Sequence, residues 1–131
     1  MSQNLETNKA VVRDLIERVM NGRDFRDHTT CLTDDFESHR AERTITGGAN
    51  WIKTFGHIVE NFIPEFRCDI QRMVAEGNQV WTLSYISGSP EGAEGKRRLS
   101  VDIFELRDGK IARHWDVQQN VDPTSNNIGP A

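Results

Sequence analysis

Residues 97–119, RRLSVDIFELRDGKIARHWDVQQ, decide the fold of this chain of 131 residues. Both halves of the stretch alternate in the way of β-strands, and the tight-turn signal at 107–109 separates them. In the second half, His114 and Asp116 fall on one face and Trp115 falls on the other. A half-buried strand normally presents an apolar face to the core and a polar face to water. His114 and Asp116 therefore either face solvent or line an interior that uses an acid and a base.

The turn sets the register of this hairpin. A two-residue turn at Asp108-Gly109 would mix apolar and charged side chains on both faces. A three-residue loop over 107–109, with Gly109 in the left-handed bulge position, places Asp102 opposite His114 and segregates the two sets. We therefore predict the three-residue loop. One predicted face carries Ser100, Asp102, Phe104, Leu106, Ala112, His114, Asp116 and Gln118, and the other carries Val101, Ile103, Ile111, Trp115 and Val117.

Pattern alone leaves either face as the inner one. If the apolar face is the core, the His114–Asp116 face is simply solvated. Phe104 and Leu106 argue against this, because a face that is apolar at one end and titratable at the other suits a ligand pocket. In that case the apolar row of Val101, Ile103, Trp115 and Val117 points outward and predicts a homodimer that buries it.

The remaining sequence places helices before strands. Apolar residues at helical spacing predict a helix over residues 8–21 and an amphipathic helix over 47–63 that stops before Pro64. Between them we expect a short helix capped by Asp24 and a short strand within 36–44. Four strands follow, at 66–75, 79–88, 97–106 and 110–119. This order predicts an α+β fold, a cone-shaped, curved antiparallel sheet wrapped around N-terminal helices with an internal pocket.

Composition narrows the class of protein. The length fits one domain over residues 1–131, with its core at about 8–120 and a polar tail over 121–131. The net charge of −4 and the lack of a dense basic cluster argue against nucleic acid as a partner. No apolar run is long enough to span a membrane, and no signal peptide is visible. The isolated cysteines Cys31 and Cys68 indicate free thiols and a cytoplasmic location.

Three stretches resemble a known family: IQRMVAEGNQVWTLSY at 70–85, VDIFELRDGKIARHWDVQQ at 101–119 and DPTSNN at 122–127. They are similar to the SnoaL-like proteins of the nuclear-transport-factor-two-like superfamily, and most of all to the SnoaL-like aldol-condensation-catalysing group. The family's Tyr-Ile-Gln-His-Asn-Pro-like motif is replaced here by FESHRA, residues 36–41. His39 matches the motif histidine, whereas Arg40 and Ala41 replace its Asn-Pro.

The resemblance implies that Asp102, His114 and Asp116 face the cavity and that Asp116 occupies the family's acid/base position. In related steroid isomerases the position of Asp102 donates a hydrogen bond to a developing oxyanion. Arg40 stands where those enzymes hold their base, so their isomerase chemistry is not carried over intact.

Desolvation in a partly apolar pocket favours the neutral form of a carboxyl, which would suit Asp116 for proton transfer near neutral pH. His114 and His39 could orient it, and a protonated Asp102 could donate to an enolate oxygen. The predicted function is general acid/base chemistry next to a carbonyl, of the cyclase, isomerase or aldol type, on a small apolar or carbonyl-containing ligand. The predicted catalytic residues are Asp116, His114 and His39, and the predicted substrate-binding residues are Asp102, Phe104, Gln118, Phe55 and Trp81.

Two alternatives stay open from the sequence. His39, His114 and Asp116 could compose a two-His, one-carboxylate metal site, but their spacing gives no local ligand pattern, so we expect neither a metal nor another cofactor. The same fold could also serve as a non-catalytic ligand-binding or dimerisation module.

Overall fold

The N-terminal helix begins at Asn4, whose side chain caps the first turn by accepting a hydrogen bond from Thr7 N at 3.0 Å. The computed structural model describes residues 4–40, 43–88 and 97–122. Helix α1, Leu5–Asp14, continues directly into π-helical turns over Leu15–Asn21, which confirms the predicted helix. The apolar side chains at helical spacing are buried as expected, namely Val12, Leu15, Ile16 and Val19.

The other elements follow in the predicted order, except that two strands stand where one short strand was expected within 36–44. The second helix ends before Pro64, as the sequence indicates, and the four long strands agree with the predicted ones to within a few residues. The elements are β1 (Leu32–His39), β2 (Thr44–Thr46), α2 (Gly48–Asn61), β3 (Arg67–Glu76), β4 (Gln79–Ser87), β5 (Arg97–Arg107) and β6 (Lys110–Val121). Strand β6 includes Val121, the first residue of the expected tail, and residues 123–131 lie outside the described residues.

The short helix predicted between α1 and β1 is only one 3₁₀ turn, His28–Thr30. Its cap is Asp27, whose carboxylate accepts a hydrogen bond from Thr29 N at 2.9 Å. Asp24, the predicted cap, instead forms ion pairs with Arg18 at 2.6 Å and Arg26 at 2.8 Å. Those two cations hold the pKa of Asp24 below its ordinary value, with Arg26 making the larger contribution. The prediction was wrong here because Arg18, in the π-helical turns after α1, competes for the carboxylate.

Six strands form one sheet in the order β2-β1-β6-β5-β4-β3. The β3–β6 meander is antiparallel, as predicted, but β1 pairs with β6 in parallel, so the sheet is not purely antiparallel. In that parallel pair Ser38 lies opposite His114 and His39 lies opposite Trp115. The pairing brings the short first strand to the strand that carries the candidate acid and base.

The β5–β6 hairpin corrects the predicted turn. Asp108 and Gly109 form a two-residue turn, with φ of 52° and 79°, which are the positive values of a type I′ turn. The register then shifts by one residue at Ala112. The extra residue of this bulge reverses the alternation of β6, so the apolar and the titratable side chains lie on separate faces, as the three-residue loop would also have placed them. Asp102 and His114 do share a face. Their cross-strand partners differ from the prediction, however, since Asp102 pairs with Asp116 and Phe104 pairs with His114.

The two long helices cover one face of the curved sheet, called the concave face below, and the opposite face is called convex. The apolar core lies between helices and sheet and includes Phe36, Phe104 and Ile111. Ile111 was expected on the same face as Trp115 and Val117, but the bulge turns it inward, where it is fully buried. Within the described ranges, no helix is both long and apolar enough to cross a membrane. The fold leaves an open space at one end of the concave face.

Candidate functional site

A cavity of about 190 Å³ opens between the helices and the concave face. Its floor is formed by inward side chains of β1, β5 and β6, and its walls come from the π-helical turns after α1, from α2 and from the segment that joins α2 to β3. Apolar groups make most of the walls, including Ile16, Met20 and Ile63. Asp102, His114 and Asp116 lie together on the floor. The structure therefore brings three of the predicted site residues to one place.

Four side chains from three strands form a continuous hydrogen-bonded chain across the floor. His114 Nε2 lies 2.6 Å from Asp102 Oδ2, and His114 Nδ1 lies 3.1 Å from Ser38 Oγ. Ser100 Oγ donates to Asp102 Oδ1 at 2.5 Å. His114 thus bridges the Asp102 carboxylate and the Ser38 hydroxyl through its two ring nitrogens. Both imidazole nitrogens and both Asp102 oxygens are thus already engaged within the protein.

Asp116 is arranged differently. Gln118 Nε2 donates to its Oδ2 at 2.8 Å, and an Arg40 guanidinium nitrogen lies 3.6 Å from the same oxygen. Among the described residues, no hydrogen bond reaches Oδ1. The Asp116 side chain is only 8% exposed, whereas that of Arg40 is 40% exposed. Asp116 is therefore a sheltered carboxylate with a charged neighbour and one oxygen left for a ligand.

The cavity's aromatic wall is built around Phe55. Its ring stacks on Trp51 with centroids 5.1 Å apart and meets Phe66 edge-on at 5.3 Å. On the floor, Phe104 lies 4.9 Å from the His114 ring. Phe55, Phe104 and Gln118, all predicted to bind substrate, line the cavity. Phe62 is 66% exposed at the cavity edge, because the helix ends just before it.

Cys68 also lines the cavity. Burial, together with the nearby Asp102 charge, raises the pKa of its thiol to about 12. At neutral pH the side chain is therefore an uncharged part of the wall and a poor nucleophile.

Two predicted site residues lie on the other side of the sheet. His39 stacks on Trp115 on the convex face, with ring centroids 5.4 Å apart, and lies 3.2 Å from Glu37 Oε1. Trp81 is 45% exposed on the same face. The cavity therefore includes neither, and His39 is not placed to form a metal site with His114 and Asp116. Strand alternation explains the position of His39, since Phe36 and Ser38 point inward.

Sequence reasoning missed several residues that the structure places at the cavity. Ser38 supports His114, and Arg43 and Arg98 both line the space. The sequence does indicate Ser38, because residues two apart on a strand share a face and Phe36 is apolar. Nothing in the local pattern signals Arg43, which reaches the cavity only through the β1–β2 connection.

Solved structures share this fold. A protein assigned as a ketosteroid isomerase from Kribbella flavida is 18% identical, with a TM-score of 0.74, and the match covers 97% of this chain and 90% of that one. An LEH-like epoxide hydrolase from M. tuberculosis is 20% identical, with a TM-score of 0.70 and coverages of 88% and 84%. A protein assigned as a SnoaL-like polyketide cyclase from Jannaschia sp. CCS1 is 17% identical, with a TM-score of 0.76 and coverages of 91% and 90%.

These identities establish a common architecture, and the relatives' different activities show that it supports more than one chemistry. A comparison with curated protein sequences gave no match. The family model of the SnoaL-like domain matches residues 12–114, which is most of the chain. The match to the family model agrees with the fold that the solved structures share, and the chain belongs to the SnoaL-like domain family.

Proposed function

We propose that this chain is a single-domain enzyme that removes and returns a proton at a carbon next to a carbonyl group. The observation that carries the proposal is the state of Asp116, which is sheltered in the cavity with Oδ1 free and Arg40 beside Oδ2. A general base must lie within hydrogen-bond reach of the proton it takes, and only a ligand-accessible oxygen satisfies that requirement.

The proton transfer is assigned to Asp116 alone. Oδ1 takes the proton, the C–H electron pair moves into the carbonyl to form an enolate, and reversal returns a proton to carbon. The Arg40 guanidinium stabilises the negative charge that develops on the enolate oxygen. Cyclase, isomerase and aldol-type reactions share this step and differ in what the enolate then attacks or where its proton returns.

His114 and Asp102 have a positioning role in this mechanism. Both nitrogens of His114 are held by Asp102 and Ser38, so the imidazole does not present a free atom to substrate. The pair fixes the floor beside Asp116, which lies directly across the strands from Asp102. The oxyanion role considered for Asp102 is not part of the proposal, because its two oxygens are already engaged.

Exchange of hydrogen for deuterium tests the proposed step without knowledge of the natural substrate. A panel of cyclic ketones and polyketide-like 1,3-diketones is incubated with the protein in D₂O, and NMR follows loss of the proton next to the carbonyl. The native chain is expected to accelerate exchange for at least one compound, and Asp116→Asn is expected to abolish the acceleration.

His39→Ala is the matched control, since it removes a titratable side chain from the convex face of a neighbouring strand. It should exchange at the native rate. If no compound exchanges faster than in buffer while some bind the cavity, the chain is a ligand-binding module. Equal acceleration by native protein and Asp116→Asn would remove Asp116 from the mechanism.

We also propose that two copies of the chain associate through the convex face. Its apolar patch comprises Val74, Trp81, Leu83, Val101, Ile103, Trp115 and Val117. Three of these side chains are conspicuously exposed in the single chain: Val74 at 62%, Trp81 at 45% and Val117 at 72%. A contiguous exposed apolar patch is typical of an interaction surface. A cytoplasmic location is proposed as well, because both cysteines are free and buried.

A further inference from the structure

The cavity is small for a ligand pocket. Its volume is about 190 Å³, whereas pockets that enclose drug-sized ligands measure about 300–1,000 Å³. An apolar cavity of about 150 Å³ holds one benzene molecule. By proportion, the space beside Asp116 takes roughly eight non-hydrogen atoms, which is one ring with its substituents. Whether this volume limits the ligand depends on how firmly the wall and the floor are held in place.

Aromatic rings brace one another in and behind the cavity wall. They are called the aromatic cluster below and comprise Phe25, Phe36, Trp51, Phe55 and Phe66. The Phe55 ring meets Phe25 edge-on, with centroids 6.1 Å apart, in addition to the two ring contacts described above. Trp51 in turn meets Phe36 edge-on at 6.0 Å. Rings packed on several sides move little, because a close-packed interior resists deformation.

The aromatic cluster also rests on the backbone of α2. A Cβ added at Gly56 would lie 3.1 Å from the Phe25 ring, so that ring packs directly on the helix. Phe25 is therefore wedged between the α2 backbone and the Phe55 ring, which limits the movement of Phe55.

The floor is fixed as well. His114 is bonded at both ring nitrogens, to Asp102 and to Ser38. Phe104 packs on the same imidazole, with ring centroids 4.9 Å apart. These side chains extend from three neighbouring strands of one sheet. Wall and floor therefore keep their separation, and the volume between them sets the size of the ligand.

We propose that the substrate is a compact, mostly apolar carbonyl compound no larger than two fused rings, and that the cavity excludes larger ring systems. This inference rests on the proposed function, because it names the substrate class of the same cavity. The apolar body of the compound lies against Phe55 and Phe66, which line the cavity together with Asp116. A third fused ring would have to displace side chains that the aromatic cluster holds in place, and overpacking of this kind is unfavourable.

A series of ketones with one, two and three fused rings tests the size limit by binding alone. The probes are cyclohexanone, 1-tetralone and 3,4-dihydrophenanthren-1(2H)-one. Each is titrated into protein labelled with ¹³C at the methionine methyl groups, and the signal of Met20, which lines the cavity, reports binding there. In an open groove, affinity would rise with every ring, because each ring buries more apolar area. Here affinity is expected to rise from one ring to two and to fall at least about tenfold at three.

Enlarging the cavity should shift this size limit. Phe55→Ala removes a ring from the wall and is expected to raise the affinity for the three-ring ketone, relative to 1-tetralone, by about tenfold. Ile58→Ala removes a smaller, partly buried lining residue outside the aromatic cluster and should act in the same direction by a smaller factor. It carries the same test if Phe55→Ala does not fold. Leu5→Ala is the control, because Leu5 is 40% exposed on α1, and it should keep the native ranking of the three ketones.

Three results would overturn the inference. They are a three-ring affinity equal to or above that of 1-tetralone in the native chain, no binding of any of the three ketones at millimolar concentration, and an unchanged ranking in the enlarged variants. Deuterium exchange on the same ketones tests the proposed chemistry separately, since all three carry hydrogen next to the carbonyl. Size selection without exchange contradicts only the chemistry, and exchange without size selection contradicts only the substrate class.

Discussion

The two faces of the sheet differ in a way that reverses the usual arrangement. On the concave face, polar side chains are buried, including Ser38, Thr82 and Ser100 at 2% exposure or less. On the convex face, Trp81 and Val117 are among the most exposed large apolar residues described. Burying polar groups costs free energy unless they are hydrogen-bonded, and exposing apolar area forgoes stabilisation. We propose that a sheet with buried polar groups on one face and exposed apolar area on the other is shaped for a ligand on the first face and for a second chain on the other.

The largest expected effect is on catalysis, and it tests whether Asp116 on the concave face acts in the reaction or only supports the structure. Asp116→Asn keeps the shape and one hydrogen bond to Gln118 but removes the base. Exchange on a responsive ketone should fall by a factor on the order of 10²–10⁴, the usual contribution of general acid–base catalysis. Thermal unfolding, measured on the same sample, should change little. A lowered melting temperature with unchanged exchange would assign Asp116 to the structure instead.

The next effect concerns the hydrogen-bonded chain on the same floor. Asp102→Ala leaves His114 Nε2 and Ser100 Oγ without their acceptor in a sheltered place. Leaving buried partners unsatisfied should lower the free energy of unfolding by about 1–3 kcal/mol, measured by urea titration. Glu105→Ala, on the convex face of the same strand, is the control and should stay within about 0.5 kcal/mol of native. Equal losses for the two variants would contradict a special role for the concave face.

A smaller effect is expected from the convex apolar patch. Val117→Asp places a charge within the proposed interface, where Val117 is 72% exposed in the single chain. The dimer dissociation constant should rise at least about tenfold by analytical ultracentrifugation, because the interface would have to bury an unpaired charge, at a cost of more than about 1 kcal/mol. Stability of the separated chain should hardly change. A native chain that is monomeric at micromolar concentration would show that the patch has another purpose.

The smallest effect at neutral pH comes from the two buried thiols. Burial raises the pKa of Cys31 to about 11 and that of Cys68 to about 12, from an ordinary value of 9.0. Folding thus favours the protonated thiols. Their stabilising contribution is complete below pH 9 and is lost as pH rises towards 11 and 12. Urea titrations from pH 7 to 11 should show stability falling above pH 9, and Cys68→Ala should fall less steeply. Identical slopes would contradict a buried thiol at the cavity wall.

The sequence by itself determined the two long helices, the four-stranded meander and the face shared by Asp102 and His114. These features rest on local periodicity, which each segment carries within its own residues. The Asp108-Gly109 pair also predicts a two-residue turn. The three-residue prediction was wrong because it did not consider a bulge within the strand that follows the turn. With the bulge at Ala112, the chain can form the favoured two-residue turn and still direct both Ile111 and His114 to the concave face. Which side chains must face inward depends on the packing of the whole core.

Only the tertiary structure decided the composition of the site. Parallel pairing of β1 with β6 joins residues more than seventy positions apart, and it places Ser38 against His114 while His39 stacks outside on Trp115. The same pairing brings Arg40 to Asp116. Strand alternation gives each side chain one of two faces, but it does not say which distant strand will lie alongside. Arg43 lines the cavity because it follows β1, and the pairing of β1 with β6 sets where β1 ends in the sheet.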